Sequence, residues 1–254
     1  MTAVTTTVRP PASALGRILN VVRLHLTNPW TTIILPWLIM LAILLGNLAI
    51  WALILSNVSP EDRADVAEGL GYSGSSTYIF VYMMVVAVQA IAVTFPFALG
   101  YGVTRRDYYL GTALTFFGLS VMFSVGLTIL AALEELTNGW FLGGRMFATF
   151  YYGDDWMQRL FIFFTAFLFF FAVGMAAASI WVRWKANGLI GFFVGLGIIV
   201  LGGAALLTLT ETWVAFGTFF ANAGFVGSFA WSLVVSAIAA IGGFFVLRRA
   251  TPKN

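Results

Sequence analysis

Six stretches of this chain, at about 30–56, 78–101, 109–133, 160–182, the run that follows Asn187, and 225–247, pass without a single Asp, Glu, Lys or Arg. Hydrocarbon offers the backbone no hydrogen-bond partner, so apolar runs of about 20 residues cross a bilayer as helices. Composition agrees: 61% of the residues are hydrophobic and 9% charged, against about 25% charged in soluble domains. With 254 residues, six crossings leave no room for a large extramembrane domain. The expected fold class is an all-α integral membrane protein of six transmembrane helices, preceded by an amphipathic interfacial helix. One domain, 1–254, comprises a disordered arm at 1–11, the interfacial helix at 12–28 and a six-span bundle at 30–247.

Within the arm no short apolar core is followed by a cleavage site. From Ser13 to Thr27 the pattern is that of a surface helix, with Leu15, Ile18, Leu19, Val22 and Leu26 on one face and Arg17, Asn20, Arg23 and Thr27 on the other. Leu24 interrupts the polar side, either as an apolar contact to a partner or with no role at all. Asn28-Pro29-Trp30 ends this helix. Pro36 opens span one and Pro96 predicts a kink late in span two. Ser120, Ser124 and Thr128 in span three, and Gly224, Ser228, Ser232, Ser236 and Ala240 in span six, recur every four residues and predict close helix packing. The glycines of span five, Gly188, Gly191, Gly195 and Gly202 among them, predict a close neighbour too. The long loop 134–159 is too apolar for a solvated linker and is expected to dip into the membrane or lie on it.

Orientation follows from the basic residues. With both termini cytoplasmic, Arg9, Arg17, Arg23, Arg105, Arg106, Arg183, Lys185, Arg248, Arg249 and Lys253 fall inside, ten of thirteen, and Arg63, Arg145 and Arg159 outside. That asymmetry is the positive-inside signature. The same scatter at span ends argues against a nucleic-acid partner, which needs basic residues gathered on one face.

Little in the sequence supports catalysis. The chain has no cysteine and one histidine, His25, so thiolate sites, histidine triads and H-E-x-x-H zinc sites are excluded. Glu134-Glu135 and Asp154-Asp155 are adjacent pairs at outer positions and read as solvated carboxylates. Neither lysine, Lys185 or Lys253, follows a glycine, so there is no G-x-x-x-x-G-K-[ST] phosphate loop. No acid or base sits mid-span, which argues against an ion-coupled carrier. Asn47 and Gln89 are the polar exceptions; each reads as a helix–helix hydrogen-bond partner or as lining a substrate path.

Between spans two and three lies FPFALGYGVTRRDYYLGT, Phe95–Thr112, whose polar part, Gly102–Thr112, reads as a short hinge. With six spans, both ends inside and an amphipathic helix entering span one, this segment resembles permease subunits of the ABC-2 class of ABC transporters. The resemblance covers nearly the whole chain in layout and is concentrated in those residues. It implies a coupling helix in the loop after span two, carried by Thr104, Arg105, Arg106, Asp107 and Tyr108, that docks on a separate ATP-binding subunit. It further implies ATP and Mg on that subunit and no cofactor in this chain, a second permease subunit as homo- or heterodimer, and a multi-pass location in the plasma (bacterial inner) membrane. The function so implied is ATP-driven transport, usually export, with no enzymatic activity in the chain itself. The alternative is a non-transporting membrane scaffold or assembly subunit. The family's outward re-entrant segment usually lies between spans five and six, whereas the apolar loop here is at 134–159.

Overall fold

The computed structural model describes residues 13–250; the arm expected at 1–11 lies outside the described residues. Every regular element among them is helical. The short ones are α1, Ala14–Leu26, and α3, Arg63–Gly69. Five others are long and apolar enough to cross a membrane: α2, Trp30–Ser56; α4, Ser75–Gly100; α5, Arg105–Leu136; α6, Trp156–Leu209; and α7, Trp213–Arg248.

Helix α1 starts where Ser13 accepts a hydrogen bond from the Gly16 amide at 3.1 Å, an N-cap that serves an otherwise orphan donor. Its leucines at 15, 19 and 26 are exposed, as an interfacial face requires, but Val21 is buried and Leu24 packs against the core. The helix is thus used on two sides, and the apolar contact of Leu24 is made within this chain.

Both prolines act through the turn that precedes them. In α2 the segment Trp30–Ile34 is π-helical, with the Leu35 amide bonded back to the Trp30 carbonyl; in α4 Ala90–Thr94 repeats this, with Phe95 bonded to Ala90. The next bond of the first π ladder would need an N–H from Pro36, which has none. Tyr82 supplies it instead, its hydroxyl donating to the Thr31 carbonyl at 2.8 Å. The expected kink at Pro96 therefore takes the form of a π turn one residue upstream of the Phe95-Pro96 pair.

The core lies between α4, α5 and α6, where phenylalanines interlock. Phe116 stacks on Phe171 with centroids 4.4 Å apart, and Phe80 meets Phe167 at 4.7 Å. Ser120, Ser124 and Thr128 are buried on that side of α5, each hydroxyl bonded to a carbonyl of the preceding turn. The small-residue seam of α7 packs on α6, with Ser236 and Gly243 buried and a cavity between Ala166, Phe170, Ser228 and Ser232.

Spans four to six differ in form from their expected outlines. Helix α6 holds 54 residues, about 81 Å if straight, against about 30 Å of hydrocarbon. It is not straight: Lys185 sits at φ 56°, ψ −147°. A Cβ on Gly188 would stand 3.1 Å from the Ile180 Cγ2 and 2.4 Å from the Trp184 Cβ, so the chain folds back here and only glycine fits. Helix α7 breaks the same way at Gly224, φ 64° and ψ −171°. Gly227 then meets the Ala223 Cβ at 2.8 Å. Phe219 and Trp231 lie 5.9 Å apart by ring centroid, where twelve residues of continuous helix would separate them by about 18 Å. Gly224 is thus a reversal rather than the first member of the seam. A Cβ added at Gly191, Gly195 or Gly202 would meet no atom of the described residues outside its own helix backbone within 4 Å, so the close neighbour expected at these three glycines is not seen among the described residues.

Candidate functional site

The hinge between α4 and α5 is shorter than its sequence outline, because Arg105 to Thr112 belong to α5. Only Tyr101–Thr104 connect the helices. Gly102, at φ 80°, closes α4: its amide bonds to the Leu99 carbonyl at 3.0 Å and the Val103 amide to Ala98 at 3.2 Å. Those two bonds make a Schellman motif, with Val103 packed on the core as its apolar contact. One residue later Thr104 caps α5, accepting from the Asp107 amide at 3.1 Å. A C-cap and an N-cap back to back leave the connection little freedom.

The five residues that the resemblance marks for coupling separate into two groups. Thr104 and Arg106 are exposed, and Arg105 donates from Nη1 to the Arg248 carbonyl at 3.2 Å, which fixes the start of α5 to the end of α7. Asp107 and Tyr108 turn inward. The Asp107 carboxylate meets the Arg17 guanidinium at 2.6 Å, Nε to Oδ2, with its own side chain 7% exposed. Tyr108 is fully buried and donates to the Ala90 carbonyl at 2.5 Å, on the π turn of α4. Tyr109 continues the pattern, donating to the Ala240 carbonyl of α7 at 2.6 Å. The first turn of α5 is therefore bonded to α1, α4 and α7 at once.

His25 reinforces the α1 contact. Its Nε2 lies 2.9 Å from the Thr112 hydroxyl, and the ring sits between Tyr108 and Phe116. Burial lowers its pKa to about 4, because the charged form would lose water without gaining a partner. At pH 7 the imidazole is neutral. Gly111 completes the clamp, since a Cβ there would stand 2.5 Å from the Val21 Cβ.

Beside this clamp is a polar cavity of about 150 Å³, flanked by both π turns. Gln89 lines it with His25, Thr31, Thr32, Thr94 and Thr115, and the Thr32 hydroxyl is buried there without a partner. No charged side chain lines it. Asn47 is elsewhere: its amide donates to the Met146 sulfur at 3.3 Å, holding α2 to the 137–155 loop, and accepts from Ser75 at 3.3 Å, holding it to the start of α4. It is a packing contact, whereas Gln89 borders a cavity.

At the opposite ends of the helices, Glu134 corrects the reading of it as a solvated carboxylate. It is fully buried and accepts four hydrogen bonds: Trp140 Nε1 at 2.9 Å and the amides of Met146, Phe147 and Ala148 at 2.8, 2.8 and 2.7 Å. These donors satisfy both side-chain oxygens and wrap the loop over the end of α5. Glu135 pairs with Arg159 at 2.5 Å, and Asp155 caps α6 through the amides of Met157 and Gln158. Of the four acids Glu134 alone departs from the solvated expectation: Glu135, Asp154 and Asp155 are exposed, and Glu135 and Asp155 make their contacts from solvated positions. No family model, curated protein or solved structure matches the chain.

Proposed function

We propose that the chain is the membrane-spanning subunit of an ATP-driven transporter, an exporter, energised by a separate ATP-binding subunit that holds ATP and Mg and docks on the 102–109 loop. The observation that carries this reading is the first turn of α5. It offers Thr104 and Arg106 to solvent and is bonded on its other sides to α1, α4 and α7. A push on this turn reaches three helices at once, which is what a coupling element must do. Asp107 and Tyr108 then transmit movement, and Thr104, Arg105 and Arg106 meet the partner.

Six crossings fit the contacts. Arg17 and Arg248 both meet the start of α5, so the chain must leave and return to one side. Counting α6 as two crossings about Lys185 gives six, with both termini on the side that the basic residues mark as cytoplasmic, in a plasma (bacterial inner) membrane. A second permease subunit has a surface to meet at Gly202 of α6, which is exposed and has open space where a Cβ would stand. Gln89 and its cavity mark a candidate substrate path.

The absence of cysteine permits a direct test. The variant Arg106→Cys, crosslinked in native membranes, should capture a protein with a nucleotide-binding motif, and the purified pair should hydrolyse ATP where the chain alone does not. Hydrolysis by the homogeneous chain, or no such capture, overturns the reading. A stable pair without ATP-driven transport would make the chain a scaffold.

A further inference from the structure

The fold-back at Lys185 opens an apolar groove of about 570 Å³, lined by Ile180, Trp184, Asn187, Gly191, Phe192 and Val246. One lining residue, Asn187, carries a polar side chain. The groove is bounded by the two arms of α6 and by the end of α7, and three basic residues adjoin its lining in sequence. Arg183 lies one helical turn beyond Ile180, Arg249 one turn beyond Val246, and Lys185 follows Trp184 at the bend itself. Arg183 stacks over the Trp184 ring at 4.3 Å. Among the described residues none of the three makes an ion pair, and from Trp156 to Asn254 the sequence holds a single acid, Glu211.

An apolar slot adjoined by three uncompensated positive charges matches one amphiphile. We infer that the groove binds an anionic phospholipid, with an acyl chain between the arms of α6 and the phosphate headgroup at Arg183, Lys185 and Arg249. Basic pockets between helices near a membrane surface hold acidic headgroups by the same physics, each cation contributing about a fivefold gain in binding. A bound lipid would wedge the arms apart and fix the angle at Lys185. The inference rests on the membrane-spanning reading and does not require a transport role.

Trp184 provides the readout. Purified full-length protein is titrated in micelles with phosphatidylglycerol or phosphatidylcholine carrying brominated acyl chains, and the Trp184 signal is taken as the difference between parent and Trp184→Phe. Phosphatidylglycerol should quench it at several-fold lower mole fraction than phosphatidylcholine. Arg183→Gln with Arg249→Gln should remove most of that preference, about twenty-five-fold at full effect, and Arg183→Lys with Arg249→Lys should retain it. Gly191→Leu should abolish Trp184 quenching by both lipids; its Cβ enters the groove with no protein atom within 4 Å, so the fold is kept. Equal quenching by the two lipids in the parent overturns the inference, as does loss of Trp184 quenching on concentrating the protein, which would place a second copy in the groove. The other eight of nine tryptophans are the control: if phosphatidylcholine quenches none of them, the membrane-spanning reading itself fails.

Discussion

Single side chains at the two ends of the bundle do most to fix the loops, and they make opposite use of burial. Glu134 remains a good acceptor inside the protein because four donors converge on it. Glu134→Gln keeps the size but turns an amide NH₂ toward backbone N–H groups, leaving donors facing a donor. It should cost about 3 kcal/mol in denaturant unfolding in detergent, the scale for losing bonds to a buried charge. A cost below about 1 kcal/mol would mean that the loop is held by Met146 and Phe147 packing alone. His25 behaves in the contrary way, since burial holds its pKa at about 4 while a detached α1 would titrate near 6.5. Between these values the detached state binds more protons, so α1 attachment is full above about pH 7 and weakens as pH falls toward 4. Thiol labelling of a cysteine at Val21 should therefore speed up on acidification from pH 7 to pH 5, after correction for the reagent's own pH dependence, and His25→Gln should abolish that slope. An unchanged slope in the glutamine variant would assign it to another group.

At the scale of elements, the two π turns show how a proline is accommodated in a spanning helix. Tyr82 serves the Thr31 carbonyl that Pro36 leaves open, so the two residues should couple. Tyr82→Phe is expected to cost about 1 kcal/mol in the parent and near zero in a Pro36→Ala background, where the restored N–H can serve the same carbonyl. Additive costs in a double-mutant cycle on thermal stability would show that the hydroxyl answers to something other than the proline. Features of this kind were half legible in the sequence. Pro36 and Pro96 announced a disturbance, but the tyrosine that resolves it lies about fifty residues away and gives no local signal. The hydroxyl stripe at 120, 124 and 128 and the seam from Ser228 to Ala240 were readable because helical spacing alone places them on one face. Gly102 and Thr104-x-x-Asp107 are readable as caps, whereas the Arg17–Asp107 pair spans 90 residues and depends on tertiary packing. The burial of Glu134 was illegible for a different reason: three of its four donors are backbone amides, which carry no residue identity.

For the whole molecule, the number of crossings decides every statement about sides, and two contacts and one bend bear on it together. Arg105 bonds the Arg248 carbonyl, and Arg17 bonds Asp107, so α1, the start of α5 and the end of α7 share one end of the bundle. Helix α5 leaves that end, and the chain from Trp156 to Arg248 must return to it through an odd number of crossings. If α6 crossed once, α7 would finish at the far end, more than 30 Å from its observed partner. On the six-span arrangement proposed above, the bend at Lys185 removes the conflict by dividing α6 into two crossings. Single cysteines placed in the cysteine-free chain should therefore fall into two sets. Those at 106, 185 and 249 should resist a membrane-impermeant maleimide in intact cells and react after permeabilisation, and those at 141 and 211 should react at once. A five-crossing chain exchanges the assignments of 211 and 249 and leaves 185 unreactive in lipid throughout. Immediate labelling at 249, with protection at 211, would sink the six-span arrangement and, with it, the assignment of the Arg106 surface and the tail of α7 to one compartment.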